Sequence, residues 1–162
     1  MGDLLLNMPL EYEPLRKNRF LLRFPSDLGI QEWWVSNASR PTITMGETEI
    51  PFLNTSTWVV GRYIWEQINV TLRDPIGPSA SQAIMEWVRL SSESVTGRQG
   101  YAVAYKRDSV LEMPDPRGCA VSQWIIKNAF VVSAAGGDLS YDDDSLSTWE
   151  LTIRPDYCIL SY

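Results

Sequence analysis

Apolar and polar positions along this chain alternate with a period of two nearly everywhere, and one segment breaks that rhythm with a period near 3.6. Residues 19–24 predict a strand with Phe20, Leu22 and Phe24 on one face, closed by Pro25. Residues 33–36 predict a second, short strand. Residues 42–61 are rich in Thr, Ile and Val but alternate poorly, and Gly46 and Pro51 punctuate them. That combination fits a long hairpin or a projecting loop. Residues 65–73 alternate cleanly, with Ile68, Val70 and Leu72 against Gln67, Asn69, Thr71 and Arg73, the pattern of a half-buried antiparallel strand.

The exception follows Pro78. Ser79 with Gln82 three residues on forms a capping-box start, and Ala80, Ala83, Ile84, Trp87 and Val88 then make one helical stripe to about Ser91. Beyond Gly97 and Gly100, residues 101–105 predict a strand, and residues 107–118 an insertion-like loop broken by Pro114 and Pro116. A long strand is expected over 122–133, with Trp124, Ile126, Phe130 and Val132 on one face. A turn follows at Gly136-Gly137-Asp138, and a last strand at 148–154 carries Trp149, Leu151 and Ile153 inward.

Six to eight strands around one helix imply an α+β, mainly β domain, a β-sandwich or a barrel-like relative. The expected division is an N-terminal arm over residues 1–18, a single domain over 19–157 and a tail over 158–162.

Composition narrows the chemistry. The chain has 162 residues and no histidine, which removes Ser-His-Asp and Cys-His catalysis and His-ligated zinc. Cys119 and Cys158 lack any CxxC spacing and are expected as two buried thiols in a reducing compartment. Asp142-Asp143-Asp144 lacks the alternating ligands and distal Glu of a calcium loop and reads as a solvated turn. Glu47 and Glu49 share a strand face, but nothing around them marks a pocket. No phosphate loop, nucleophile elbow or metal cluster is present in the pattern, so no enzyme, cofactor or metal is expected. The net charge of −6 opposes a grip on nucleic-acid phosphates. Eleven of the fourteen cations are Arg, a bias that suits bidentate protein–protein contacts. The start of the chain lacks an export signal and no run of apolar residues is long enough to span a membrane, so synthesis in a cytoplasm and no membrane binding are expected. Trp33-Trp34 could form a sugar-stacking platform, which keeps a monomeric carbohydrate-binding β-sandwich as a rival of a different class.

The order of segments resembles the tail tube proteins of contractile-tailed bacteriophages over roughly residues 18–157. The likeness is carried by Asn18-Arg19-Phe20-Leu21-Leu22-Arg23-Phe24, Ala38-Ser39-Arg40-Pro41, Ile50-Pro51-Phe52-Leu53-Asn54 and the run from Trp65 to Asp74. It continues in Glu86-Trp87, Ile126-Lys127-Asn128-Ala129-Phe130, Gly137-Asp138-Leu139-Ser140-Tyr141 and the closing run from Thr148 to Tyr157. The resemblance implies two packed antiparallel sheets with a flanking helix, the sheets joining a continuous barrel in a hexameric ring. It implies stacked rings inside a contractile sheath, in a virion tail, with sheath, baseplate and tail-terminator proteins as partners. Tape-measure protein and DNA would pass the lumen without specific binding. A baseplate tube initiator and a secretion-system tube subunit share the implied fold. On the same footing, Glu47, Glu49, Ile50, Phe52 and Leu53 are candidates for contact between rings; the short basic patch of Arg16, Lys17 and Arg19, in an acidic chain, is a candidate for contact with a neighbouring subunit's carboxylates.

Overall fold

The computed structural model describes residues 11–162; the first ten residues of the expected arm lie outside that range. Among these described residues nine strands run in the order β1 (Leu21–Arg23), β2 (Val35–Ala38), β3 (Ile43–Phe52), β4 (Thr55–Trp65), β5 (Ile68–Arg73), β6 (Arg107–Pro114), β7 (Ala120–Gly136), β8 (Thr148–Arg154) and β9 (Tyr157–Leu160). Helix α1 (Ala80–Ser91) and a single helical turn, α2 (Ala102–Tyr105), lie between β5 and β6. All strand pairs are antiparallel. Seven strands form one sheet in the order β1-β6-β7-β8-β5-β2, with β9 added on β7, and β3-β4 form a second sheet of their own.

The large sheet becomes two layers because β7 bends. Its register with β8 at Phe130↔Arg154 continues unbroken to β9 at Lys127↔Tyr157, so β8 and β9 are one strand interrupted at Pro155 and Asp156. Opposite that interruption Asn128 takes a φ of 53°, the left-handed region that Asn tolerates better than most residues. Its N–H leaves the ladder and donates to Asp108 Oδ1 at 2.9 Å. Lys127 reaches Asp108 at 3.0 Å and Lys106 reaches Asp156 at 2.9 Å, so two ion pairs brace the bend. The alternation expected through 122–133 therefore changes phase: Ile126 and Ala129, three apart, are both buried, and Val132 is exposed.

Both halves of the bent sheet feed one core. Leu22, Leu111, Ile126 and Cys158 enter from one, and Ile68, Val70, Leu72, Leu151 and Ile153 from the other. Burying side chains of this size stabilises by roughly 1.5–3 kcal/mol each. Helix α1 covers the core with Ala80, Ile84 and Trp87, as its stripe predicts, and the Ser79 hydroxyl accepts from the Gln82 N–H at 3.4 Å. Asp74 adds a second tie, accepting from the Ala80 N–H at 3.2 Å and from Trp149 Nε1 at 3.3 Å, with the Ser81 hydroxyl also donating to it. Desolvation pushes the Asp74 carboxyl up, but those hydrogen bonds outweigh it and hold it below the usual carboxylate value.

Several sequence expectations need correcting. Residues 102–105 are a helical turn, fixed by the Trp87 indole donating to the Tyr105 carbonyl at 2.8 Å. The insertion-like segment holds β6, a central strand between β1 and β7. Its Ser109, Leu111 and Met113 are buried, a signal diluted by the serine and by the adjacent Asp108 and Glu112. Residues 158–160, assigned to a tail, belong to β9, and Cys158 is buried there. Cys119 is exposed, in the β6–β7 turn where its N–H donates to Asp115. Residues 32–34 form a 3-10 turn, and β2 starts after it.

Candidate assembly surface

The poorly alternating segment is a hairpin, β3 with β4, that leaves the body of the protein. Every residue of β3 is exposed, and in β4 only Gly61 and Trp65 are partly covered. The base is anchored by Trp65, which packs edge-to-face on Trp124 with ring centroids 6.3 Å apart. The Glu66 N–H donating to the Thr42 carbonyl at 2.8 Å and the Thr44 hydroxyl donating to Glu66 at 2.7 Å complete the anchor. From there the pairing runs to Phe52↔Thr55, a reach of about 30 Å at roughly 3.3 Å per residue.

Two glycines let the arms stay close through the bulge between Met45 and Glu47. A Cβ on Gly46 would lie 3.1 Å from the Arg62 carbonyl oxygen, and one on Gly61 would lie 3.2 Å from the Gly46 carbonyl carbon. The tip is a two-residue turn in which Leu53 has a φ of 51°. A bulky apolar residue in the left-handed region is strained, and this one is also 89% exposed.

The register divides the candidate residues between two faces. Glu47 lies opposite Val60 and Glu49 opposite Trp58, all on one face. Ile50 opposite Thr57 and Phe52 opposite Thr55 lie on the other, beside the Thr48–Val59 pair. Phe52 is 72% exposed and does not pack beneath its own hairpin. The β4 side chains Trp58, Val60, Tyr63 and Ile64 are exposed as well. Sequence reasoning singled out β3 and passed over them, although the same weak alternation covers both arms. A surface this apolar is unusual on a permanent monomer.

The remaining candidates are dispersed. Arg19 is half-buried and sits 3.7 Å from Glu13, while its N–H closes a turn onto the Arg16 carbonyl. Arg16 and Lys17 are exposed. Trp33 and Trp34 do not make a flat platform: Trp34 is buried, and the rings stand at 76° to each other. Asp143 and its neighbours lie in an exposed loop where hydrogen bonds from Ser145 hold the Asp143 carboxyl low. Among the described residues no cluster of His, Cys, Asp or Glu has metal-binding geometry, and no helix is long and apolar enough to cross a membrane.

This architecture matches solved structures of contractile injection machines along nearly its whole length. A chain of the anti-feeding prophage cap, the AFP tube terminating cap, superposes with a TM-score of 0.75 at 17% identity, covering 99% of both chains. The chain has the tail-tube fold. A chain of the PVC sheath-tube complex, an extracellular contractile injection system in its extended state, matches this tail-tube fold with a TM-score of 0.73 at 17% identity over 94% of this chain and 93% of that one. Hcp1 from Flavobacterium johnsoniae is a more distant match, with a TM-score of 0.51 at 9% identity over 88% and 94%. No protein-family model matches the sequence, and no curated protein matches it in sequence. The tail-tube fold is thus held by architecture where little sequence is shared.

Proposed function

We propose that this chain is a non-enzymatic tube subunit of a contractile machine, forming hexameric rings that stack into a conduit within a sheath. The single observation that carries the reading is the β3–β4 hairpin, apolar and strained at its tip, projecting from a tail-tube fold whose fully buried core takes no residue from it. Among the described residues the large sheet is not closed. Its free ends β1 and β2, and the outer edge of β7 beyond Ala129, are open to pairing with neighbours in a ring. A phage tail tube conducting DNA is the specific setting proposed, with sheath, baseplate and terminator proteins as partners. The charge of −6 per chain supports it, because a conduit must not hold polyanionic cargo.

A tube terminator is the second reading, favoured by the match to the AFP cap over 99% of both chains. Electron microscopy of the concentrated, pure protein tests all of these. Tubes support the main reading, single rings that never lengthen support the terminator, and a compact particle retained on glycan columns supports the carbohydrate-binding rival.

A further inference from the structure

A cleft of about 530 Å³ lies between β2, which contributes Asn37 and Ala38, β6, and the segment that leads into β1. Leu111 and Met113 form its floor and are almost fully buried, and Phe20 and Ala38 form partly covered walls. Lys17 and Arg40, both exposed, stand at the rim, and no carboxylate is among the described residues that line it. The site is therefore apolar inside and cationic at its entrance. It suits a short apolar segment led by an acid.

The chain carries such a segment in Asp3-Leu4-Leu5-Leu6. Residues 11–18 are all exposed, with Lys17 at the cleft itself. Pro9 and Pro14 bias the residues before them toward extended backbone. Twelve residues separate Leu5 from Lys17, a reach of about 40 Å at roughly 3.4 Å per residue, enough to cross to an adjacent protomer. We infer that the Asp3-Leu4-Leu5-Leu6 segment of one subunit docks in the Phe20–Ala38–Met113 cleft of a second copy, its carboxylate facing Lys17 and Arg40. This rests on the tube reading for the presence of that second copy. It assigns the arm a receptor that the hairpin does not provide, so each subunit would be tied to its neighbours at two separate places.

Mixed disulfide cross-linking tests the inference on the full chain. In a Cys119→Ser background, one preparation carries Leu5→Cys and another Ala38→Cys; the two are mixed, mildly oxidised and run on a non-reducing gel. The expected result is a band of twice the chain mass in the mixture, absent from either preparation alone and lost on reduction. Adding Asp3→Lys to the Leu5→Cys chain should lower its yield several-fold. No dimer in the mixture, or an internal cross-link when both cysteines share one chain and none between chains, overturns the inference. Microscopy of the same samples separates the two levels. Rings without the cross-link refute the arm alone, whereas the cross-link without rings refutes the tube reading and leaves the arm contact standing.

Discussion

Strand β5 and the β3–β4 hairpin are built from similar residues and put them to opposite uses. In β5, Ile68, Val70 and Leu72 all point to one side and are at most 1% exposed, with β8 on one edge and β2 on the other. In the hairpin, apolar side chains stand on both faces: Trp58 and Val60 on one, Ile50, Phe52 and Val59 on the other, all exposed. A strand that serves one core needs one apolar face. A hairpin that serves an assembly has neighbours on both sides. The loss of alternation in residues 42–61 therefore matches a hairpin exposed on both faces, which the proposed tube would cover with neighbouring rings.

The largest expected contrast is between two tryptophans. Trp87→Ala removes a buried ring and the hydrogen bond to Tyr105, at a cost of about 3–5 kcal/mol. For a domain of this length that lowers the melting temperature by on the order of 10 °C. Trp58→Ala, on the hairpin, should stay within about 0.5 kcal/mol of the parent. Circular dichroism melts of the two variants decide it, and equal losses would make the hairpin part of the core.

Next in size is the tie between β5 and α1. Asp74→Ala should cost about 2 kcal/mol, the scale of a hydrogen-bond set to a charged acceptor. Its pH dependence has a defined sign. Because desolvation of the folded Asp74 carboxyl is outweighed by its hydrogen bonds, it sits below the usual carboxylate value, and its contribution is complete above that usual value. It is lost as the pH falls through the folded value. Asp108, held low by the Asn128 N–H in spite of desolvation and with help from Lys127, behaves the same way at the bend. A melt series descending from about pH 5 should therefore fall more steeply for the parent than for Asp74→Asn. Parallel curves would remove Asp74 from the acid response.

A smaller effect is expected at the hairpin tip. Leu53→Gly relieves the left-handed strain but frees the unfolded chain, so the melt should move by no more than about 0.5 kcal/mol in either direction. Tube growth should still decline, because the apex loses its side chain. Smallest of all is the thiol contrast. Burial pushes the Cys158 thiol to about 11, whereas Cys119 is exposed. The native chain should take up one equivalent of a thiol reagent at Cys119, and rapid labelling of Cys158 would show β9 to be undocked.

Much of this fold is legible from periodicity alone. The β5 alternation, the α1 stripe with its Ser79 cap and the inward set Trp149, Leu151 and Ile153 each correspond to an observed element. What eluded the pattern has a physical cause in each case. β6 buries Ser109, which a hydrophobic scan counts as polar, and ends at Pro114, which reads as a loop. The phase change in β7 depends on one Asn at positive φ, and β9 is a strand because its partner continues past Pro155. The hairpin was legible as a departure from alternation, and Phe52 as a residue too apolar for solvent. Its division into two faces needed the register, which a bulge at Gly46 shifts by one residue.

The most direct measurement is on Phe52→Asp, followed by thermal melt and by sedimentation or electron microscopy of the same preparation. The account predicts a melt within a few degrees of the parent, since the side chain is 72% exposed in the isolated chain. It predicts loss of tube growth in that sample, because a carboxylate buried unpaired between rings costs about 3–5 kcal/mol at each site. Long tubes from the variant would take Phe52 out of the interface, and a collapsed melt would place it in the core.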